Sequence, residues 1–380
     1  MMQPLRSVCE IIMGQAPAGD TYNDDKVGLP LIAGASDFGE ITPKPTRFTT
    51  AAAKISRVND IIVCVRATIG DLNWSDGEYC LGRGVAALRV NERNADRNYI
   101  WRAVEHGADR LSALGRGATF KQISKPDIAD FEIPLPPLED QKRIAAILDQ
   151  ADELRRKRHR ALDRLSQLGQ AIFIEMFGDL AASGIEAESL GSLTSKIGSG
   201  ATPKGGDSAY KSEGIPLIRS MNVRDGHFLD KGLAFIDEEQ ASKLDNVVVR
   251  GGDVLLNITG ASVARACIAP ASMDGARVNQ HVSIIRPMER ILSVFVEAYL
   301  LLPVVKKGLL AIAGSGATRQ AITKAQIEQL SIPVPPIQQQ ESFAQRVSVV
   351  QQQKDASEAH RAYLDGLFAS LQHRAFRGEL

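Results

Sequence analysis

The feature that most constrains this chain is that it is written twice. Residues 117–145 read GATFKQISKPDIADFEIPLPPLEDQKRIA, and residues 316–344 read GATRQAITKAQIEQLSIPVPPIQQQESFA. The offset is 199 residues without a gap. Ile123, Lys125, Ile128, Ile133, Pro134, Pro136, Pro137, Gln141 and Ala145 recur as Ile322, Lys324, Ile327, Ile332, Pro333, Pro335, Pro336, Gln340 and Ala344. Upstream the order is kept more loosely. Gly28-Leu-Pro-Leu-Ile32 answers Gly214-Ile-Pro-Leu-Ile218, Asp60–Cys64 answers Asp253–Asn257, and Val85–Arg89 answers Val282–Arg286. A unit of about 190 residues is too long for a solenoid repeat and implies a duplicated domain.

Each copy has the same parts. A stretch rich in Gly, Pro and Asp (14–60 and 198–253) carries short apolar runs between turn residues, which read as strands. Ile61–Val65 and Val254–Ile258 are the clearest. Ile100, Val104, Leu111 and Leu114 follow at helical spacing, as do Ala298, Leu301, Val305 and Leu309, and each set predicts one helix. A Gly-rich loop (Gly115-Arg-Gly117, Gly314-Ser-Gly316) precedes a short strand ending in Ile-Pro-x-Pro-Pro. Proline continues neither a helix nor a central strand, so Pro134–Pro137 and Pro333–Pro336 mark domain exits.

A long helix is predicted after each exit. Ile144, Leu148, Ala151, Leu154, Leu162, Leu165, Leu168, Ile172 and Met176 keep 3/4 spacing, as do Phe343, Val347, Val350, Leu364, Phe368 and Leu371. The pattern runs for about five heptads and asks for a helical partner. It is interrupted at matching places, by Arg155 and Arg158 in the first helix and by Lys354 and Ser357 in the second. About 37 residues at 1.5 Å each make a rod about 55 Å long. With the short linker Gly178–Ser189 the second unit begins near the far end of the first helix, which favours antiparallel pairing. The expected fold class is α+β: two tandem, similar α/β domains (1–137 and 185–336), each followed by a long helix (138–180 and 337–380). The helices pair as an antiparallel coiled coil with pseudo-two-fold symmetry. The bland alternative is that each helix packs on its own globular domain.

Composition narrows the function. Lys+Arg and Asp+Glu are both 45, so any nucleic-acid surface must be local. Aromatics at 5% weigh against a carbohydrate-stacking surface. No apolar run approaches the ~18 residues of a membrane span, and the first residues lack a signal-peptide apolar region, so the chain reads as cytoplasmic. Cys9, Cys64, Cys80 and Cys267 form no CxxC pair and read as reduced, buried thiols rather than a zinc site. There is no G-x-S-x-G, H-E-x-x-H or Walker-A motif. The six histidines do not recur between the copies, whereas a duplicated catalytic site would repeat its reactive residues; no catalytic or metal-binding residues are assigned.

The polar loop residues diverge while the frame repeats. Arg66-Ala-Thr68 stands against Asn257-Ile-Thr259, Arg83-Gly84 against Gln280-His281, and Phe120-Lys121-Gln122 against Arg319-Gln320-Ala321. Two copies of one scaffold with different polar tips suit two different sequences read by one molecule, since Arg/Lys and Asn/Gln are the side chains that read base edges. Separately, Gln141–Arg160 holds seven Lys/Arg and three Asp/Glu, an excess of +4. That cluster could meet phosphate along the rod, form a solvated helix face, or meet an acidic partner.

Pro134-Leu-Pro-Pro-Leu-Glu-Asp-Gln-Lys-Arg-Ile-Ala145, its counterpart Ile-Pro-Val-Pro-Pro-Ile337, and the elements Gly28–Ile32, Gly214–Ile218 and Gly251-Gly-Asp-Val-Leu-Leu256 are similar to those of specificity (S) subunits of type I DNA restriction-modification systems. The resemblance spans essentially the whole chain; the second copy departs at Gln338-Gln-Gln-Glu-Ser-Phe-Ala344. It implies that each globular unit is a target recognition domain for one half of a split, asymmetric double-stranded DNA site, with the helices as a ruler. It implies a non-catalytic chain with no cofactor of its own. Two methyltransferase (M) subunits would carry S-adenosylmethionine, and two restriction (R) subunits would use ATP and Mg²⁺. The candidate DNA contacts are Lys44, Arg47, Arg66, Thr68, Arg83, Arg116 and Lys121 in the first unit. In the second they are Lys204, Arg219, Asn222, Asn257, Thr259, Arg265, Gln280, Ser315, Thr318 and Arg319. Thr68 with Thr259, and Thr119 with Thr318, recur and so suit phosphate or backbone geometry better than base choice. Two other readings stay open: a specificity subunit of a methylation-only phage-defence system, and a two-domain protein-binding scaffold with a coiled-coil spacer.

Overall fold

The computed structural model describes residues 1–117, 121–178, 185–314 and 321–380. The chain forms two compact units, Met1–His159 with Ala359–Leu380, and Arg160–Glu358. Each holds one globular block together with a segment of each long helix.

In the first unit, four antiparallel strands lie in the order Cys9–Met13, Val85–Val90, Ile61–Cys64, Leu72–Trp74. The second unit repeats this with Thr194–Ser199, Val282–Pro287, Val254–Asn257 and Ala266–Ile268. Side chains alternate across a strand. Ile61 and Val63 join the core beneath the helices, while Ile62 faces a second, small sheet through Ile32 and Leu81. Val254 and Leu256 part from Leu255 in the same way. A strand covered on both faces must be apolar throughout, which is why these runs lack polar alternation. The second sheets also match: Leu29–Ile32 pairs in parallel with Cys80–Leu81, and Ile215–Ile218 with Arg277–Val278.

The single helix expected in each copy is two. Arg97–His106 and Ala108–Ala113 are separated at Gly107, where a Cβ would come within 2.6 Å of the Phe131 ring. Ser293–Leu300 ends before Pro303, which opens Pro303–Gly314. Proline serves at a helix start because its missing N–H is not needed there.

The Pro-Pro-x-x-x-Gln signature has a mechanical role. Gln141 and Gln340 are buried in the first turns of the long helices Leu138–Phe177 and Ile337–Arg377. Gln141 accepts from the Asp96 amide at 2.9 Å and donates to the Pro136 carbonyl at 2.8 Å. Gln340 accepts from the Leu292 amide at 2.9 Å and donates to the carbonyls of Pro335 and Arg290. Asp96 and Leu292 are the N-cap residues of the helices that follow them, so one amide fastens each long helix to its own domain.

Within each unit the long-helix segments pack on one another, and in the first they run antiparallel. In the first, Arg143 meets Leu380, Arg155 meets Asp365 and Arg158 meets His360. In the second, Phe173 packs on Phe343 and Glu175 pairs with Arg346. The polar interruptions are thereby explained for the first unit. Arg155 bonds Asp365 at 2.8 Å and lies over the Phe368 ring, Arg156 bonds Asp152, and Lys157 bonds Glu153. The phosphate role considered for this cluster is thereby narrowed, because Arg155 and Arg156 are half-buried and committed within the unit, whereas Lys157 remains exposed.

The two units differ at one equivalent place. In the first, Arg102 is buried among Asp149, Asp152 and Glu105 and lies over Phe368. In the second, the positions of Arg102, Asp152, Arg155 and Phe368 are taken by Ala298, Gln351, Lys354 and Gly169, all of which line a cleft with Glu297. Burial pushes the Glu297 carboxyl up to about 7, against the lowering influence of the Ile268 amide and Lys354. A carboxyl whose folded pKa exceeds its unfolded one destabilises the fold as it ionises. Stability of the second unit is expected to fall as pH rises from the ordinary carboxylate range through about 7, by at most about 3 kcal/mol. Urea titrations at several pH values should show this slope in the wild type and a flatter profile in Glu297→Gln.

Candidate nucleic-acid interface

In each unit the sequence-divergent loops meet at one end of the four-stranded sheet. In the first unit the chain leaving Ile61–Cys64 turns through Arg66–Thr68 and is clamped by the segment before the 125–129 helix. Arg66 bridges Gln122, the Ala67 amide donates to the Lys121 carbonyl, and Ile123 donates to Val65. Gln122 in turn exchanges two 3.0 Å backbone bonds with Arg116. Arg83 lies on the adjacent loop, whose Gly84 carbonyl accepts from Val65 at 2.9 Å. Thr68, Arg83, Arg116 and Lys121 are exposed and Arg66 is half-buried. A cleft is lined by Arg116, Gly117, Gln122, Ser124 and Asp127. Hydrogen bonds from Ser124, aided by Arg116 at 3.2 Å, hold the Asp127 carboxyl below the usual range, so it stays an anion that orients Arg116. Lys44 and Arg47 are exposed but stand on a separate loop, leading into Phe48–Thr49 of the second sheet.

The second unit builds the corresponding end from different chemistry. Thr259 bridges Ala321, and Ile322 donates to Ile258, repeating the clamp. The Thr259 hydroxyl contacts His281 Nδ1, Gln280 Nε2 lies 3.2 Å from His281 Nε2, and the Thr202 hydroxyl donates to Gln280 Oε1. A cleft beside this chain of side chains is lined by Ser220, Met221, Arg224, Thr259, Gly260, Ala261, Ser262, Arg265 and His281. Gln280 is exposed, while Thr259 and Arg265 are half-buried. Lys204 is exposed on the turn after Thr202.

Two candidates of the second unit are buried within the fold, and a third, Arg219, is half-buried and tied to it. Asn222 is fully buried, accepting from the Arg219 amide at 3.0 Å and donating to the Leu229 carbonyl at 2.8 Å. Asn257 is fully buried and donates to the Ser220 carbonyl at 2.9 Å. The Arg219 guanidinium stacks over Tyr210 and donates to the Gly232 carbonyl at 2.7 Å. Their amides and guanidinium saturate backbone groups of an irregular loop, a need that polarity in a sequence does not reveal. Ser315, Thr318 and Arg319, with Thr119 and Phe120, lie outside the described residues. Thr202, Arg224, Ser262 and His281 were not among the candidates. Only the pairing of Gln280-His281 against Arg83-Gly84 hinted at one of them.

The described residues contain no group of His, Cys, Asp or Glu placed to hold a metal ion, and no helix among them is long and apolar enough to cross a membrane. All four cysteines are buried, and burial pushes the thiols of Cys9 and Cys267 up to about 12, which keeps them unreactive.

Two tandem domains of one architecture, each carrying its own polar loop cluster and a long helix, define a duplicated recognition protein. The sequence profile of the type I restriction modification DNA specificity domain matches residues 1–164 and 184–362, and the chain belongs to that family, the specificity subunits of type I restriction-modification systems. Among relatives, it is 24% identical over 417 aligned residues to the type I restriction enzyme EcoBI specificity subunit of Escherichia coli, covering 98% of this chain and 85% of that one. It is 39% identical over 145 residues to a protein named for the MjaX specificity subunit of Methanocaldococcus jannaschii, a stretch that is 38% of this chain and 34% of that one. Its fold is similar to the S subunit of the type I system from M. genitalium, with a TM-score of 0.62, 17% identity and coverage of 99% and 96%. It is also similar to a chain from a study of complex assembly and conformational transition of the type I system, with a TM-score of 0.59, 22% identity and coverage of 100% and 98%.

Proposed function

We propose that this chain is the non-catalytic reading subunit of a type I complex, with one half of a bipartite, asymmetric DNA site read by each loop cluster. On this reading residues 1–137 and 185–336 are the target recognition domains, and 138–180 and 337–380 space them. Two M subunits, carrying S-adenosylmethionine, and two R subunits, using ATP and Mg²⁺, supply the chemistry. The observation that carries the reading is the repetition of the loop clamp in both units while the side chains displayed beside it differ: Arg66, Arg83, Arg116 and Lys121 in one, Arg265 and Gln280 in the other. An invariant frame with variable tips separates positioning from specification, the division protein–DNA interfaces use. Lys44, Arg47, Thr68 and Lys204 belong with the phosphate contacts, which set affinity and its salt dependence.

The test is binding of a randomised duplex library by the chain co-purified with its methyltransferase partner. A bipartite motif is expected. Arg66→Ala should relax one half of it only, by about 1–3 kcal/mol at a base pair. Equal loss on scrambled DNA would assign Arg66 to phosphate. Absence of any motif in the wild type would defeat the reading.

A further inference from the structure

One loop tip is held by the same three backbone bonds in both units, yet carries a different exposed side chain. In the first unit the Gly82 amide donates to the Ile32 carbonyl at 2.8 Å, Val85 donates back to Gly82 at 3.2 Å, and the Gly84 carbonyl accepts from Val65 at 2.9 Å. In the second, the Asn279 amide donates to Ile218 at 3.1 Å, Val282 donates to Asn279 at 3.4 Å, and the His281 carbonyl accepts from Ile258 at 2.9 Å. The same three bonds thus bracket one residue, Arg83 in one unit and Gln280 in the other, and both are exposed. The tip of the first unit packs so closely that a Cβ on Gly84 would lie 2.1 Å from the Ala33 carbonyl oxygen. The flanking residues change as well, Gly82 to Asn279 and Gly84 to His281, but a backbone pinned on both sides of the exposed side chain fixes where that side chain starts and leaves its chemistry free to change.

We infer that Arg83 and Gln280 are equivalent specificity-determining residues, Arg83 reading a guanine in one half-site and Gln280 an adenine in the other. Arginine offers a planar pair of N–H donors that matches the two acceptors on the guanine edge, whereas glutamine offers one donor and one acceptor, the pattern that matches adenine. In the second unit both ends of the amide are also engaged. The Thr202 hydroxyl donates to Gln280 Oε1, and Gln280 Nε2 is set against His281 Nε2, whose other ring nitrogen contacts the Thr259 hydroxyl. Each end of the amide is then used once, leaving one N–H and one acceptor site for a base. His281 and Thr202 are positioning residues in this arrangement. The inference rests on the reading of the chain as a DNA-recognition subunit.

The experiment is library selection with the full chain and its methyltransferase partner, followed by sequencing of the bound duplexes. Arg83→Gln should exchange guanine for adenine at one base pair of one half-site, and Gln280→Arg the reverse in the other half-site. Each change should be on the order of 10-fold or more in preference, with the opposite half untouched. Arg83→Ala and Gln280→Ala, which add no bulk to the exposed tip, should lose the preference and gain none. His281→Ala should lower discrimination at the base pair governed by Gln280, and His281→Asn, which retains a side-chain acceptor, should recover part of it. Unchanged motifs in Arg83→Gln and Gln280→Arg, with melting temperatures equal to wild type, would overturn the inference. So would binding weakened equally across all sequences, which is the mark of phosphate contact. Both results leave the wild-type motif standing, whereas a wild type without a motif removes the functional reading itself.

Discussion

Arg102→Ala is expected to destabilise the first unit by about 3–5 kcal/mol, seen as a lower urea midpoint for that unit. The guanidinium is almost wholly enclosed. Its Nε bonds Asp149 at 2.8 Å, and its two terminal nitrogens bond Glu105 at 3.0 Å and Asp152 at 3.1 Å. Burial alone would lower its pKa, but the Glu105 and Asp152 carboxylates reverse this and hold it above the ordinary value. Removing the cation leaves the buried Asp152 carboxylate to Arg155 and Arg156 alone and takes the shared guanidinium from Asp149 and Glu105. The same side chain lies over Phe368, so alanine also removes packing between the domain helix and the second long-helix segment of this unit. Arg102→Met fills part of the space but leaves three carboxylates with one cation fewer. Arg102→Met with Asp149→Asn and Asp152→Asn should recover much of the loss, because an uncompensated buried charge costs more than an absent pair. A loss under about 1 kcal/mol for Arg102→Ala, the range of exposed pairs, would show the cluster to be solvated.

Asp253→Ala is expected to cost the second unit a similar amount, about 3–5 kcal/mol, with little effect on the first unit. Asp253 is buried at 2% exposure and accepts two 2.7 Å bonds from Arg286 and one of 2.8 Å from the Arg250 amide. It ties the turn before the central strand to the neighbouring strand that leads away from the Gln280 tip. The hydrogen bonds it donates to Asp253 hold the Arg286 guanidinium above its ordinary pKa. Asp60 and Arg89 make the same fork in the first unit, with bonds of 3.1 and 2.8 Å, and Asp60 accepts from the Arg57 amide at 2.8 Å. Asp253→Asn keeps the shape and one acceptor and should lose less, about 1–3 kcal/mol. The check is urea unfolding followed by probes in each unit. Equal loss in both units would contradict the local role.

The duplication explains why so much was legible. A pattern seen once is ambiguous, but the same apolar runs and prolines at a fixed offset filter chance from constraint. Ile61–Val63 and Val254–Leu256 are strands buried on both faces, and the Pro-Pro punctuation falls where each long helix begins. The site was legible only as a set of loops. Arg66, Arg83, Arg116 and Lys121 are brought to one sheet end, but Asn222, Asn257 and Arg219 turned out to satisfy backbone groups. Polarity in a loop does not distinguish a side chain that faces a partner from one that replaces missing backbone bonds, since both demands select Asn and Arg. The non-recurrence of the histidines argued only against a duplicated catalytic site, and nothing in the sequence placed the His281 ring between Gln280 and Thr259.

The sequence by itself determined the duplicated architecture, the long helices and the loops that vary, because apolar periodicity and proline stereochemistry act locally along the chain. Only the tertiary structure decided which helix segments share a unit, why Gln141 and Gln340 are kept, and that Arg83 and Gln280 occupy one pinned tip. Those facts depend on contacts between residues tens to hundreds of positions apart, and distance in space is not encoded by spacing in sequence.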